Sequence, residues 1–225
     1  LDRMRRTAVT DPNGNSTSYA YDELDRIESA TDPLAQTVTY AYDSVGNITG
    51  ITNARNAETR FTYTMLSQPA VATNPLGYSS ARQYNWRGDV TERIDANGRR
   101  TLYAYDSLYR LESITYETAE SVSFTYDGNN NRTAMTDATG TTTYQYNERN
   151  LLAQYTTPAG DTIAYEYDAR GNRIRMTTPA GAVSYLYDAR GLLMRVYDET
   201  DQKETAYAYD AVGRRVQCIY PNSMT

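Results

Sequence analysis

The side chains of this chain that could do chemistry recur at a fixed interval instead of gathering in one cluster. Asp22, Asp43, Asp106, Asp127, Asp168, Asp188 and Asp210 each follow a tyrosine, and Asn85, Asn147 and Thr64 take the same place elsewhere. A pair of such carboxylates could serve as acid and nucleophile on a glycosidic bond. Their recurrence points instead to turn formation, because Asp and Asn side chains accept hydrogen bonds from backbone two residues on. Asp127-Gly128-Asn129-Asn130-Asn131 opens like a calcium loop, but Arg132 stands where that loop needs glycine and Ala138 where it needs glutamate. That segment reads as one more turn.

Composition excludes several kinds of active site. There is no histidine among the 225 residues, which removes Ser-His-Asp and Cys-His catalysis and the common zinc ligand sets. No Gly-x-x-x-x-Gly-Lys loop is present to cradle a phosphate. The lone cysteine, Cys218, has no partner for an internal disulfide and is expected as a free thiol in a buried strand. No catalytic residue, cofactor or metal is expected. The net charge of -6 is spread over mixed signs, without the basic stripe that nucleic-acid binding requires. Mean hydropathy is -0.71, and no apolar run approaches the roughly 20 residues of a membrane span.

The elements that must position these side chains follow from the period. The tyrosines that precede the turn residues are Tyr21, Tyr42, Tyr63, Tyr84, Tyr105, Tyr126, Tyr146, Tyr167, Tyr187 and Tyr209, at intervals of 20 to 22 residues. Self-similarity of this kind marks a stacked repeat architecture. Two residues earlier stand Tyr19, Tyr40, Phe61, Tyr103, Phe124, Tyr144, Tyr165, Tyr185 and Tyr207, with Arg82 as the exception. Seventeen of the 23 tyrosines occupy these two positions, and both phenylalanines fall on the earlier one. Two residues earlier again, nine of ten side chains are β-branched, from Thr17 and Val38 to Val183 and Thr205. A period of two in β-branched and aromatic residues is the pattern of a strand with one specialised face.

Turn signals close each strand. Four residues after the second tyrosine come Gly46, Gly88, Gly171, Gly191 and Gly213, or Asp25, Asn130 and Asn150, residues that tolerate positive φ. A more variable strand follows, such as Arg110-Leu111-Glu112-Ser113-Ile114, and then a second turn such as Asp11-Pro12-Asn13-Gly14 or Asn74-Pro75-Leu76-Gly77. Each repeat is therefore expected to be one β-hairpin, and residues 1–225 to be one continuous array of about ten hairpins, incomplete at both ends. The chain opens inside a repeat, with Leu1-Asp2-Arg3-Met4 matching Leu24-Asp25-Arg26-Ile27, and closes inside another after Tyr220-Pro221-Asn222. The fold class is all-β: a wide, curved antiparallel sheet. If Tyr105 is buried, its truncation to alanine should cost roughly 3–5 kcal/mol locally.

Tyr42-Asp43-Ser44-Val45-Gly46-Asn47, Tyr167-Asp168-Ala169-Arg170-Gly171-Asn172 and Tyr209-Asp210-Ala211-Val212-Gly213-Arg214 resemble the YD, or RHS, repeat. The resemblance covers essentially the whole chain and is weakest at Tyr63-Thr64-Met65-Leu66-Ser67-Gln68 and Tyr84-Asn85-Trp86. It implies a long sheet that spirals into a hollow shell. In bacterial members that shell encloses a C-terminal toxin segment of the same polypeptide or of a partner chain, for delivery by type VI or other secretion systems or within insecticidal toxin complexes. In animal teneurins a similar shell belongs to a cell-surface adhesion receptor. The partners implied are further RHS repeats, an enclosed toxin segment and components of a secretion system, with neither nucleic acid nor a membrane span. The location implied is outside a bacterial cell, or alternatively a cell surface. Bacterial shells of this kind carry an aspartate-dependent self-cleavage site built around Asp-Pro-x-Gly. Asp11-Pro12-Asn13-Gly14 matches only its first letters and sits in an ordinary repeat turn, so no self-cleavage is expected. The alternative to a wall is an adhesion or carbohydrate-binding module, since rows of tyrosine offer flat apolar faces with polar tips.

Overall fold

The computed structural model describes residues 5–220, so the part-repeats read at Leu1-Asp2-Arg3-Met4 and at Pro221-Asn222 lie outside the described residues. Among the described residues every regular element is a strand, and there are 21 of them. The chain divides into two compact units, one holding the residues up to Ala104 with Ile114–Ala119, the other Tyr105–Ser113 with the residues from Glu120 onward.

The first unit contains β1 (Ala8–Thr10), β2 (Ser16–Tyr21), β3 (Ile27–Thr31), β4 (Thr37–Tyr42), β5 (Ile48–Thr52), β6 (Glu58–Tyr63), β7 (Pro69–Thr73), β8 (Ser79–Tyr84), β9 (Val90–Ile94) and β10 (Arg100–Tyr105), whose last residue falls to the second unit. Each pairs antiparallel with the next. After β11 (Leu111–Tyr116), the second unit repeats the plan with β12 (Ser121–Tyr126), β13 (Arg132–Asp137), β14 (Gly140–Tyr146), β15 (Leu152–Thr156), β16 (Thr162–Tyr167), β17 (Arg173–Thr178), β18 (Gly181–Tyr187), β19 (Leu193–Asp198), β20 (Lys203–Tyr209) and β21 (Arg215–Ile219). These too form an unbroken antiparallel meander.

Burial follows the period of two. In β2, β10 and β12 exposure alternates residue by residue, with both aromatics and the β-branched residue half-covered and the residues between them open. Among the described residues of either unit nothing packs as a second layer, and no large side chain is fully buried. Two expectations change accordingly. Tyr105 is half-buried, so the cost of its truncation lies below that of a core aromatic, and Cys218 is a half-exposed thiol in β21.

Stability in such a layer rests on neighbours within the sheet. The aromatic two residues before the turn tyrosine faces an apolar residue on the next strand: Tyr19 faces Ala30, Tyr40 Ile51, Phe61 Ala72, Phe124 Met135, Tyr144 Tyr155, Tyr165 Met176, Tyr185 Val196 and Tyr207 Cys218. Aromatic–apolar pairs of this kind contribute about 0.2–1 kcal/mol each. The register slips by one residue just before Tyr21, Tyr42, Tyr63, Tyr84, Tyr126, Tyr146, Tyr167, Tyr187 and Tyr209. A bulge at that point re-aims the tyrosine and sharpens the local twist.

Candidate functional site

The turn that follows each second tyrosine is built in one way throughout. In the Asp43 turn, the Asp43 N–H donates to Asn47 O at 2.9 Å and the Gly46 N–H to Asp43 O at 3.2 Å. Gly46 holds φ of 99°, where a β-carbon would be strained. The carboxylate completes the loop: Oδ1 accepts the N–H of Val45 at 3.0 Å and of Asn47 at 2.8 Å, while Oδ2 accepts the Asn47 side-chain amide at 2.8 Å. Asp22, Asp106 and Asp210 repeat this with arginine in place of asparagine, their Oδ2 accepting Nε of Arg26, Arg110 and Arg214 at 2.7, 2.8 and 2.8 Å. Asp127 and Asp168 use Asn131 and Asn172. The Asp-x-x-Gly-(Asn/Arg) motif is thus one hydrogen-bonded device. Thr64 fills the role through its hydroxyl, accepting the N–H of Leu66 and Gln68 at 3.2 and 3.3 Å.

These bonds favour the ionised carboxylate. The Asn47 side chain first, then the backbone N–H groups of Asn47, Val45 and Gly46, hold the Asp43 carboxyl below the ordinary value, against an opposing desolvation. For Asp22 and Asp106 the largest cause is the backbone N–H of Arg26 and Arg110 respectively. Such groups stay charged and engaged at neutral pH, a poor starting point for proton transfer. Asp11 sits in the same kind of loop, its Oδ1 accepting the N–H of Asn13 and Asn15 at 2.9 Å each.

The phenols are committed as well. Tyr21 donates to Arg6 O, Tyr42 to Ile27 O, Tyr63 to Ile48 O, Tyr84 to Pro69 O, Tyr126 to Leu111 O, Tyr167 to Leu152 O and Tyr209 to Leu193 O at 2.7–2.9 Å; Tyr146 donates to Arg132 O and Tyr187 to Arg173 O at 3.1 Å. Each bond reaches back to the start of the variable strand in the preceding repeat, or, for Tyr21, to Arg6 just ahead of β1. The sequence held a signal for this that pattern reading passed over: phenylalanine replaces tyrosine only at the earlier aromatic position, never at the one whose hydroxyl has an acceptor. Partial burial pushes the phenols of Tyr42, Tyr146, Tyr165 and Tyr187 up from their usual range.

The earlier aromatics, Tyr144, Tyr165, Tyr185 and Tyr207 among them, take part in stacks with arginine. Arg132 lies over Phe124 and Tyr144, with 5.7 and 4.6 Å to the ring centroids, Arg173 over Tyr165 and Tyr185 at 5.5 and 4.8 Å, and Arg215 over Tyr207 at 5.6 Å. Guanidinium over a ring face is favourable where water is partly excluded. Tyr19, Tyr40 and Tyr103 stand half-buried in the same row. Gly171, Gly191 and Gly213 hold the positive φ of their turns, between 83° and 90°. Ser67 and Tyr109 share that slot with φ of 59° and 63°, positions the sequence did not mark because neither residue favours it.

Asp11 with Asp32, and Asp168 with Asp188, line shallow open grooves, but Oδ1 of each of the four already accepts N–H groups of its own turn. Glu92 is the one buried charged side chain among the described residues, 7% exposed, and it is paired with Arg100. A shallow groove lined by Arg55, Glu58, Arg60, Asn74 and Pro75 contains a Glu58–Arg60 ion pair at 2.8 Å. Among the described residues no group of three or more Cys, Asp or Glu is placed to hold a metal.

Comparison with known proteins agrees with this architecture. The family model described as the teneurin YD-shell matches residues 83–218, and that of the RHS repeat matches residues 5–37. No curated protein matches the chain. The chain is similar in fold to a chain of the TcdB2–TccC3–Cdc42 crystal structure, at 14% identity over 97% of this chain and 16% of that one, with a TM-score of 0.62. It is similar to a chain of the Photorhabdus luminescens Tc holotoxin pore with a mutated TccC3, at 14% identity over 94% and 16%, TM-score 0.60. A chain of TcdB2–TccC3 gives 15% identity over 97% and 15%, TM-score 0.58. The chain thus spans 15–16% of the length of these solved chains.

Proposed function

For a chain that belongs to the YD-shell family of RHS-repeat proteins, we propose the role of a wall: a stretch of shell that encloses a toxin segment and performs no catalysis itself. The observation that carries this reading is the commitment of the repeated polar groups to the backbone. Tyrosine hydroxyls from Tyr21 to Tyr209 hold carbonyls of the preceding repeat, and the turn carboxylates hold N–H groups of their own loops. Groups so engaged supply rigidity, and a barrier needs rigidity and continuity more than it needs reactivity. Residues 1–225 are on this reading one continuous section of a longer array. The tyrosines, aspartates and glycines of the repeats are its framework. The similarity in fold to toxin-complex chains supports the choice of cargo. A polymorphic toxin secreted or translocated out of a bacterial cell, by a type VI or related system, fits this role. The enclosed segment would then belong to the same polypeptide or to a partner chain.

Limited proteolysis of the full-length parent protein, with mass mapping of the part that the repeats enclose, tests the proposal. The enclosed part is expected to resist protease while the repeats are intact and to become labile once they are opened. Free digestion from the start would refute enclosure and bring adhesion forward.

A further inference from the structure

On the tyrosine face of the first unit, one cross-strand pair breaks the rule that eight others keep. Where those repeats oppose an aromatic to an apolar residue, β8 and β9 oppose Arg82 to Arg93. Arg93 is in turn opposite Thr101 of β10, and Arg82 lies one strand from Ala72 of β7, the partner of Ser80 beside it. Both arginines are exposed. Among the described residues neither guanidinium makes a hydrogen bond or an ion pair, although Arg60, Arg100, Arg175 and Arg195 of other strands are each paired with a glutamate. Asp95, two residues beyond Arg93, feels its charge, but Asp95 Oδ1 already accepts the N–H of Asn97 and Arg99. The nearby Glu92 extends from the opposite face and belongs to Arg100.

Like charges directly opposite each other in a sheet are unfavourable, and here both members depart from the repeat together. Directly opposed residues place their β-carbons about 4.5–5.5 Å apart, so two planar five-donor groups can reach one ligand together, a chemistry matched to carboxylate oxygens. The chain as a whole is acidic, with a net charge of -6, so general attraction of anions is not expected. We propose that Arg82 and Arg93 form a docking point for a polypeptide segment bearing neighbouring Asp or Glu side chains, laid against the tyrosine face. This goes beyond the wall reading and does not depend on it, since it concerns what this face binds and is tested on the chain itself.

The test titrates the 225-residue chain into a fluorescein-labelled peptide of six consecutive glutamates and follows anisotropy. Saturable binding is expected, weakened at least tenfold by Arg82→Tyr or Arg93→Ile and lost in the double variant, with Arg99→Ala leaving it unchanged. Arg82→Gln with Arg93→Gln should also abolish binding, and guards against a fold lost through the larger changes. Both single variants are expected to raise the Tm, because each removes the repulsion. No binding, equal binding by the double variant, or complete displacement by inorganic phosphate at the peptide's own concentration would overturn the proposal, the last by reducing the pair to a simple anion site.

Discussion

In the second unit a side chain crosses from each tyrosine-side turn to the next, all the way from Arg110 to Ala211. Arg110 Nη1 donates to Asp127 O at 2.9 Å, Asn131 Nδ2 to Asn150 Oδ1 at 2.9 Å, Arg149 Nη1 to Asp168 O at 2.8 Å, Arg170 to Ala189 O, and Arg190 Nη1 to Asp210 O at 3.1 Å. In the first unit such crossings include Arg26 Nη1 to Asp43 O at 3.0 Å, Asn47 Nδ2 to Ser67 Oγ at 3.1 Å, and an ion pair from Arg5 to Asp25. Its turn tips carry more open apolar side chains, Leu24 at 67% exposure, Val45 75%, Met65 103%, Leu66 70% and Trp86 77%, against Leu108 at 63% and Val212 at 76% in the second unit. The backbone loop is the same in both units. One bridging task is therefore met from several places in the repeat, by arginine at the tip, by arginine after the glycine, or by asparagine there. A repeat can drift at each of these positions and still stay tied to its neighbour.

The comparison can be broken most forcefully with acid. Asp106, Asp127, Asp137, Asp168, Asp188 and Asp210 in the second unit, against Asp11, Asp22, Asp43 and Asp95 in the first, are held below the ordinary value of 3.8. A carboxyl whose pKa is lower folded than unfolded adds stability above its unfolded value, and that stability is lost as pH falls through the folded value. Both units should hold level above about pH 5 and weaken from about pH 4 downward, the second more steeply. Amide exchange followed against pH would show this, and an equal slope in the two units would remove the distinction.

Next in size is the tyrosine row. Tyr165 has Tyr155 at 6.4 Å between ring centroids and Arg173 at 5.5 Å, whereas Tyr40 faces Ile51. Tyr165→Ala is expected to cost about 2–3 kcal/mol, less than a fully buried aromatic, and Tyr40→Ala about 1 kcal/mol less than that. Because repeat arrays are stabilised mainly by nearest neighbours, distant repeats should keep their exchange protection. Uniform loss across both units would contradict it.

Smaller still is the hydroxyl. Tyr167→Phe removes the bond to Leu152 O and should cost about 1 kcal/mol, while Tyr165→Phe should stay within roughly 0.5 kcal/mol. Denaturant titration of the two variants side by side decides it, equal costs being the adverse result. Arg190→Ala, which cuts one exposed crossing, is expected to cost about 0.5 kcal/mol and to speed exchange at the Gly213 amide before any other turn responds.

Much of this was written in the sequence because local rules dominate a single-layer sheet. Thr17, Tyr19 and Tyr21 alternate with Ser18 and Ala20, and the strand follows; Asp43 and Gly46 are spaced as the turn requires. What the sequence could not display depends on register. The opposition of Arg82 to Arg93 appears only once β8 and β9 are aligned through a bulge. The crossing from Arg149 to Asp168 O joins residues 19 apart, a distance that no local pattern spans. Tyr109 at positive φ obeys the array against its own preference.

The direction of the tyrosine bonds has a further consequence. Each of the nine phenol-to-carbonyl bonds above points to chain that precedes it, as in Tyr63 to Ile48 O and Tyr126 to Leu111 O. A repeat leaving the ribosome thus meets an acceptor that has already been made, and its own variable strand becomes the acceptor for the repeat to come. Such a chain is suited to growth like a zip, each new tooth closing on the last without waiting for a remote end, which favours orderly folding during synthesis.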